Sequence, residues 1–474
     1  MNWFTSVLSG IYFVLYTGCV ISFEYVKYKV KTIATTTTST KPFNAMVKNI
    51  ATRLSKKNIY YTKMFQALAY SSEIYDEDLA AFFIQYTDTV QYEKNELNSE
   101  KLDKLITFAE KKGYTLTIQK RNQNNTETNT DYVPDKTGSV SLIFYGTLTT
   151  HDNNNNNETL PIVVKCLRSN MLERIKWAIN DFSYLIGILH LFPRFKHLYL
   201  HDILNEQKKM MLSQVNFHTE VENISKMYHN FQKTNTRIIK IPMVFKEFTD
   251  EFDTVIVMER IIGKKLEELS NDVKDEYCTI LAKGLIKTVF LDGFYHCDMH
   301  PGNVLFIENE EKQNSDQNSD QNSNPRFQVG ILDFGIMSGI TTHEQNISFD
   351  LFKQVLKRNP NELARIFIEE YIEPCTSINS VVSVVCIDND TKSKIYESLS
   401  SIFNEILKDK TLTCFTAKDM CLLNYTLLKY NMKISKALTN FEISLSVCDN
   451  LCKQIAFKRS YMDHLKDIVE DMFE

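Results

Sequence analysis

Residues 293–306 read GFYHCDMHPGNVLF, and residues 330–335 read GILDFG. Asp298 and Asn303 stand in an H-x-D-x-x-x-x-N frame, and Asp333 follows an apolar run just ahead of Phe334-Gly335. This is the spacing of a kinase catalytic loop and its metal-binding Asp-Phe-Gly. The requirement behind it is geometric. One carboxylate must meet the acceptor's proton, while an amide oxygen and a second carboxylate hold Mg²⁺ on the ATP phosphates. A lone Asp or Asn would read as a turn residue. Three of them in this order, bracketed by strand-like VLF and VGIL, read as a site.

The bulk numbers fit such a domain. A chain of 474 residues is too long for one small core and suits two lobes plus an extension. The net charge of −5 is near balance and gives no nucleic-acid signal. Ten cysteines are scattered without C-x-x-C pairs, which points to free thiols in a reducing compartment. Cys166 and Cys297 fall beside proposed site residues, and Cys448 and Cys452, at helical spacing, read as core.

Working outward, Trp3 to Phe23 contains no charged residue. At helical rise it is about 30 Å long, enough to cross a bilayer. Lys27, Lys29 and Lys31 follow, so a single-pass anchor with the rest of the chain on the cytoplasmic side is expected. A cleaved signal peptide would want a basic leading region. An apolar helix docked on the protein itself is the other reading. Thr32 to Pro42 is polar, low in complexity and linker-like. The periodicity of residues 47–90 predicts two helices, the second starting near Ser71-Ser72 or Asp76-Glu77, and Leu102 to Tyr114 a further helix stopped by Gly113.

From Tyr114 the period changes. YTLTIQ, SVSLIFYGTL and LPIVVKCL read as strands separated by Asn-rich tracts at residues 122–125 and 153–157. Lys165, ending VVK, is then the lysine that contacts the α/β-phosphates. Helices are expected at Met171 to Ile188, Leu204 to Met211 and Gln214 to Phe231. Glu220 in the last of these is the candidate partner for Lys165, with Glu222 as its rival. IKIPMVFKEF and TVIVMER read as strands, and the backbone at Met258 and Glu259 is where the adenine would bind. Tyr277 to Leu291 is a helix delivering the catalytic loop. QNSDQNSDQNSNP, between Asn303 and Asp333, reads as a hairpin-tip insertion. Beyond Gly335 the chain reads as helix, in segments from Ser348, Asn361, Lys392, Ala417 and Phe441, the last running to Glu474. There is no A-P-E where a conventional protein kinase closes its activation segment.

These blocks resemble, in order, the UbiB/ADCK atypical kinases, membrane-linked proteins tied to ubiquinone and other isoprenoid-lipid metabolism. HCDMHPGN is similar to the family's H-x-D-x-H-P-G-N, and FHTEVEN resembles its E-A-x-N helix motif, with Glu220 and Asn223 on the key positions. PDKTGSVSLIFYG aligns without a gap on the family's alanine-rich nucleotide loop, and KMFQ, with Lys63 and Gln66, resembles the K-x-G-Q of its N-terminal extension. The resemblance implies an α+β, two-lobed, protein-kinase-like fold with a helical N-terminal extension over the peptide-substrate face and a single N-terminal membrane span.

The departures are specific. Phe65 stands where the family has Gly, and Ser71 near the place of its Arg. Lys136-Thr137-Gly138 replaces the alanine triplet, and Leu142 the loop's Gln. Gly138 would restore backbone freedom at a phosphate-facing turn.

The expected layout is anchor and linker at residues 1–45, extension at 46–115, small lobe at 116–262 and large lobe with a helical C-terminal region at 263–474. The expected activity is an atypical kinase or ATPase. ATP or ADP would be cradled by Gly138, Ser139, Lys165, Met258 and Glu259, with Mg²⁺ on Asn303 and Asp333. Asp298 would orient a hydroxyl or water, and Lys63 and Gln66 would act from the extension. A zinc site at His296 and His300 is rejected, because Pro301 precludes the helix that their spacing would need. Two other readings stay open: a small-molecule phosphotransferase of the aminoglycoside/choline kinase type, and a catalytically silent pseudokinase scaffold. Resemblance implies a membrane setting, a mitochondrial one among those that fit, and lipid or isoprenoid-quinone intermediates and their biosynthetic enzymes as partners.

Overall fold

The structure is a computed structural model that describes residues 3–34, 41–69, 77–88, 90, 92–122, 130–150, 158–192, 200–232, 237–309, 325–375 and 388–471. The second-helix start at Ser71-Ser72, most of the Thr-rich linker, the Asn-rich tracts beyond Asn122 and the QNSD repeat lie outside the described residues. The chain divides into two compact units, one of Met1–Ser225 with Met243–Arg260, the other of Lys226–Pro242 with Ile261–Glu474.

The first unit opens with helices α1 (Trp3–Ala34), α2 (Lys41–Lys57), α3 (Ile59–Ala69) and α4 (Glu77–Asp88). Where two helices are expected there are three, because Asn58 interrupts the run. Its Oδ1 accepts the Tyr60 N–H at 2.8 Å, capping α3. The presumed linker is also shorter than its composition suggests, since Thr32 belongs to α1 and Lys41-Pro42 opens α2. Proline is tolerated in a first helical turn, where its missing N–H has no partner to lose.

Next come α5 (Ser99–Lys111), capped by Asn98, and β1 (Tyr114–Ile118). Between them Gly113 adopts φ +84°, a left-handed conformation suited to glycine. A small hairpin, β2 (Lys120–Asn122) and β3 (Thr130–Tyr132), precedes β4 (Lys136–Thr137), β5 (Ser141–Thr150) and β6 (Glu158–Leu167). Helices α6 (Met171–Leu189), α7 (Leu200–Ser213) and α8 (Phe217–Gln232) follow. After β7 (Ile239–Lys240) the chain returns to the first unit through α9 (Lys246–Glu251) and β8 (Val255–Glu259). The strand expected over IKIPMVFKEF is therefore cut short: only Ile239 and Lys240 form β7, and from Lys246 the chain is the helix α9. Four of its six residues are charged, Phe248 turns inward, and Thr249 Oγ1 donates to the Val255 carbonyl at 2.8 Å.

The antiparallel sheet runs β1-β5-β6-β8, with β4 on β5. Its alternation separates two environments. Ile162, Val164 and Cys166 join Leu102, Leu105 and Ala109 of α5 in one core. Lys165 faces away from them, paired in register with Ile143 and Ile256. A second core gathers Phe13, Leu54, Tyr61, Phe83, Ile175 and Phe182 from the surrounding helices.

The second unit is built on α10 (Lys274–Ile286), β9 (Phe294–His296), β10 (Val304–Glu308), β11 (Phe327–Ile331) and β12 (Met337–Gly339). A π-helical turn, Lys287–Leu291, completes the helix expected to end at Leu291. Strands β10 and β11 form an antiparallel hairpin, with β7 parallel to β11, and β9 pairs with β12. The hairpin is shut at its far end by the Asn309 N–H donating to the Arg326 carbonyl at 2.8 Å.

The rest is α11 (Thr342–Leu356), α12 (Pro360–Ile366), β13 (Ile372–Pro374), α13 (Asn389–Ile406), α14 (Ala417–Leu428), β14 (Met432–Ile434), α15 (Lys436–Ile455) and α16 (Tyr461–Asp471). Their core centres on Phe367, Phe403 and Phe415, whose ring centroids lie 4.9–5.7 Å apart. The single helix expected from Phe441 to Glu474 is broken. Asp275 accepts the N–H groups of Phe457 and Lys458, and Ser460 restarts the chain by capping Asp463. The nine cysteines within the described residues are free thiols, Cys448 and Cys452 buried among them.

Candidate functional site

In the first unit, Lys165 Nζ donates to Glu220 Oε1 at 2.6 Å. Lys165 is 6% exposed and Glu220 1%, so both charges are out of water. Such a lysine keeps its proton only beside a carboxylate. The Phe217 ring, 5.6 Å from Nζ, closes the other side. Glu222, two residues on, is exposed, as helical geometry requires.

The β4–β5 turn is held by the Gly138 N–H donating to the Ser141 carbonyl at 2.9 Å, and Ser139 is buried. Gly138 does not use the freedom expected of it. The positive-φ glycines are Gly113 and Gly293, and a Cβ at Gly138 would meet only ordinary contacts, at 3.4 Å or more. The turn is positioned instead by a residue that sequence reasoning missed. Buried Arg168 donates to Glu96 at 2.8 Å and to the Val90 carbonyl at 3.0 Å. The Val90 N–H in turn reaches the Thr137 carbonyl, and the Arg168 N–H reaches Val140. Its only sequence signal is its place three residues after Lys165.

Met258 and Glu259 end β8, with Met258 buried. The Glu259 N–H donates to the Met243 carbonyl at 2.7 Å, and the Arg260 N–H to Pro161 at 2.9 Å. These two donors are engaged within the protein.

In the extension, Gln66 Nε2 donates to the Tyr86 carbonyl at 2.7 Å, tying α3 to the end of α4. Lys63 sits one turn earlier on α3. Phe65 stacks on Phe83 at 5.5 Å and lies near Tyr61 and Tyr86, so the side chain that replaces a glycine builds a core.

In the second unit, Gly293 turns into the catalytic segment at φ +60°, where a Cβ would lie 2.8 Å from Gln345. His296 then joins the segment's two aspartates. Its Nδ1 accepts the Asp298 N–H at 2.9 Å, which places the proton on Nε2, and Nε2 donates to the Asp333 carbonyl at 2.5 Å. Burial holds its pKa below the ordinary value, against the pull of Asp298, so the imidazole is neutral. His300 Nδ1 accepts the Gly302 N–H and caps the turn Pro301–Asn303. Both rings spend Nδ1 on backbone, and no group of three His, Cys, Asp or Glu suited to a metal occurs among the described residues.

Asn303 Nδ2 donates to the Asp298 carbonyl at 2.9 Å, which fixes the amide and turns Oδ1 the other way. The Leu332 N–H donates to the Asn303 carbonyl at 3.0 Å, and Asp333 Oδ1 accepts the Gly335 N–H at 2.9 Å. An amide oxygen and a carboxylate are hard donors that suit Mg²⁺, with water and phosphate oxygens completing its shell. Asp298 keeps a half-exposed carboxylate 3.8 Å from His300 Nε2.

The ABC1 atypical kinase-like domain family matches residues 131–367, which include Lys165, Glu220, Asp298, Asn303 and Asp333. The chain belongs to this family. Among curated relatives of the ABC1 chain are proteins named "Probable protein kinase UbiB". That of Providencia stuartii is 22% identical over 316 residues, covering 65% of this chain and 52% of the relative. That of Photorhabdus laumondii is 24% identical over 214 residues, 44% of this chain and 36% of the relative. That of Shewanella piezotolerans is 26% identical over 235 residues, 48% of this chain and 40% of the relative. The matches thus span about half or less of those relatives' lengths. Among solved structures, the complex of Rv3197 with erythromycin from Mycobacterium tuberculosis has TM-score 0.44 at 15% identity, covering 79% of this chain and 83% of that one. The Rio2 kinase–ADP/Mg²⁺–phosphoaspartate complex from Chaetomium thermophilum has TM-score 0.25 at 12% identity, covering 78% and 94%.

Proposed function

We propose that this ABC1-family chain is a membrane-associated atypical kinase or ATPase that binds Mg-ATP and supports isoprenoid-lipid or quinone metabolism. The observation that carries the reading is the buried Lys165–Glu220 pair. A buried charge pair gives little net stability, so its retention is best accounted for by phosphate binding. In this reading Lys165 contacts the α/β-phosphates and Glu220 fixes its position. Asn303 Oδ1 and the Asp333 carboxylate hold Mg²⁺, which would bridge phosphate oxygens and neutralise their charge. Asp298 orients the attacking hydroxyl or water. His296 ties the Asp298 backbone to that of Asp333, so the acid and the metal carboxylate are set by one ring.

The relatives' UbiB name and the apolar helix α1 support the membrane and quinone setting. Mg²⁺-dependent nucleotide binding is measured by thermal shift with ATP, with ADP and without metal. A shift with nucleotide that grows with Mg²⁺ is expected, and Asp333→Asn should remove the metal dependence. No shift under any of these conditions would overturn the enzyme reading in favour of a silent scaffold.

A further inference from the structure

Helix α1 is long and apolar enough to cross a bilayer, yet one side of it is committed to the protein. Ser6, Gly10, Phe13, Thr17, Val20 and Glu24 are buried, a seam at alternating four- and three-residue steps. Ser6 Oγ donates to Asn180 at 2.7 Å and Ser9 Oγ to Asp181 at 2.8 Å, both on α6. A Cβ at Gly10 would collide with the Tyr184 ring, so this glycine permits the close approach. Phe13 packs on Phe182 and Tyr61, and Thr17 Oγ1 shares a hydrogen bond with Tyr61 OH at 3.1 Å. Glu24, 1% exposed, accepts from Asn49 at 3.1 Å and faces Arg53 at 3.5 Å.

The partners along this seam decide how α1 can meet a membrane. Lys57 of α2 lies 4.4 Å over the Tyr12 ring, level with the middle of the apolar stretch, and Asp181 sits nearby at Ser9. If the docked α1 crossed a bilayer, α2 and α6 would enter with it. Lys57 and Asp181 would then lie within hydrocarbon, at about 3 kcal/mol or more for each charge near the centre.

The side of α1 turned away from the seam is apolar and open. Phe4, Leu8, Ile11, Leu15, Phe23 and Val26 are all at least half exposed. Residues 25–57 carry eight Lys and Arg and no Asp or Glu. Lys27, Lys29, Lys31, Arg53, Lys56 and Lys57 are exposed. An open apolar helix face with cations beside it can settle against an anionic lipid surface, where the apolar side chains enter the interface and the cations meet the headgroups.

We propose that α1 stays docked on α2 and α6 and binds an anionic membrane surface edge-on, lying in the interface without crossing it. Glu24, the one acidic residue of α1, is the latch that holds the helix to α2. This inference does not depend on the nucleotide reading.

The two arrangements place the chain's beginning on opposite sides of the membrane, which makes them separable. The full chain, carrying one epitope tag before Met1 and a different tag after Glu474, is expressed and sealed membrane vesicles are prepared. Protease is then added from outside without detergent. Association with the vesicles and identical behaviour of the two tags, both cleaved or both protected, is expected. One tag cleaved and the other protected would show a crossing helix and overturn the proposal. Absence from the vesicle fraction would overturn it as well. Because the unaltered chain carries the test, folding of a variant is not at issue.

Discussion

Lys165 and Glu220 meet at 2.6 Å in a buried setting, fifty-five residues apart in sequence. The pair predicts asymmetric responses to substitution. Lys165→Ala should weaken nucleotide binding at least tenfold in titration while unfolding stays cooperative. Glu220→Ala strands a buried ammonium and should cost about 3 kcal/mol in urea unfolding. Lys165→Met with Glu220→Leu removes both charges and should recover much of that loss without recovering nucleotide binding. Retained affinity in Lys165→Ala would show that another residue meets the phosphates.

His296 predicts a pH dependence. Its folded-state pKa lies below the unfolded value, with burial the main cause, so the unfolded chain binds its proton more readily. The stabilisation is therefore present above the unfolded pKa of about 6.5 and lost as pH falls below it. His296→Asn should flatten this decline, read as the difference in unfolding free energy between about pH 7.5 and pH 5.5. Parallel slopes for the two proteins would mean that the ring is not held neutral.

Glu442 carries the opposite sign. Burial raises its carboxyl pKa to about 8, against the Phe415 N–H that donates to it at 3.1 Å. Its contribution is present below the unfolded carboxyl pKa and lost as pH rises through the folded one. Glu442→Gln keeps an oxygen for Phe415 and never ionises. It should raise the melting temperature relative to the unaltered chain, with the gap widening up to about pH 8. A gap that is constant across this range would contradict the assignment.

Phe65 is a structural replacement and not a loss. Phe65→Gly, which restores the residue of the resembling motif, removes the stack on Phe83 and adds a flexible residue to α3. Together these should cost about 4 kcal/mol in denaturant unfolding. A change under about 1 kcal/mol would show that the α3–α4 packing does not depend on it.

What the sequence discloses, and what it hides, follows from how far apart the deciding partners are. Asp298, Asn303 and Asp333 are joined by hydrogen bonds through His296 and the Asn303 amide, a proximity that their spacing anticipates. Glu220 is legible because helix periodicity excludes Glu222 from the same face. Gly138 misleads, since glycine suggests an unusual φ, whereas the turn closes through an ordinary hydrogen bond to Ser141. The helix over KEFTDE is masked by the apolar residues just before it. The break before α16 is made by Asp275, about 180 positions away, and no local pattern encodes it. Arg168 is hidden for the same reason, because Glu96 and Val90 give it meaning only after folding.

The closed mouth of the β10–β11 hairpin has a further consequence. Asn309 also donates from Nδ2 to the Pro325 carbonyl, so both ends of the repeat-bearing stretch are fastened at one point. Whatever joins them starts and finishes in the same place, and register along the hairpin does not depend on its length. Doubling such a connection costs only about 0.6 kcal/mol in closure entropy. The QNSD repeat can therefore gain or lose copies through replication slippage while Asn303 and Asp333 keep their spacing. The insertion is a region where the gene can drift in length without disturbing the proposed metal ligands on either side.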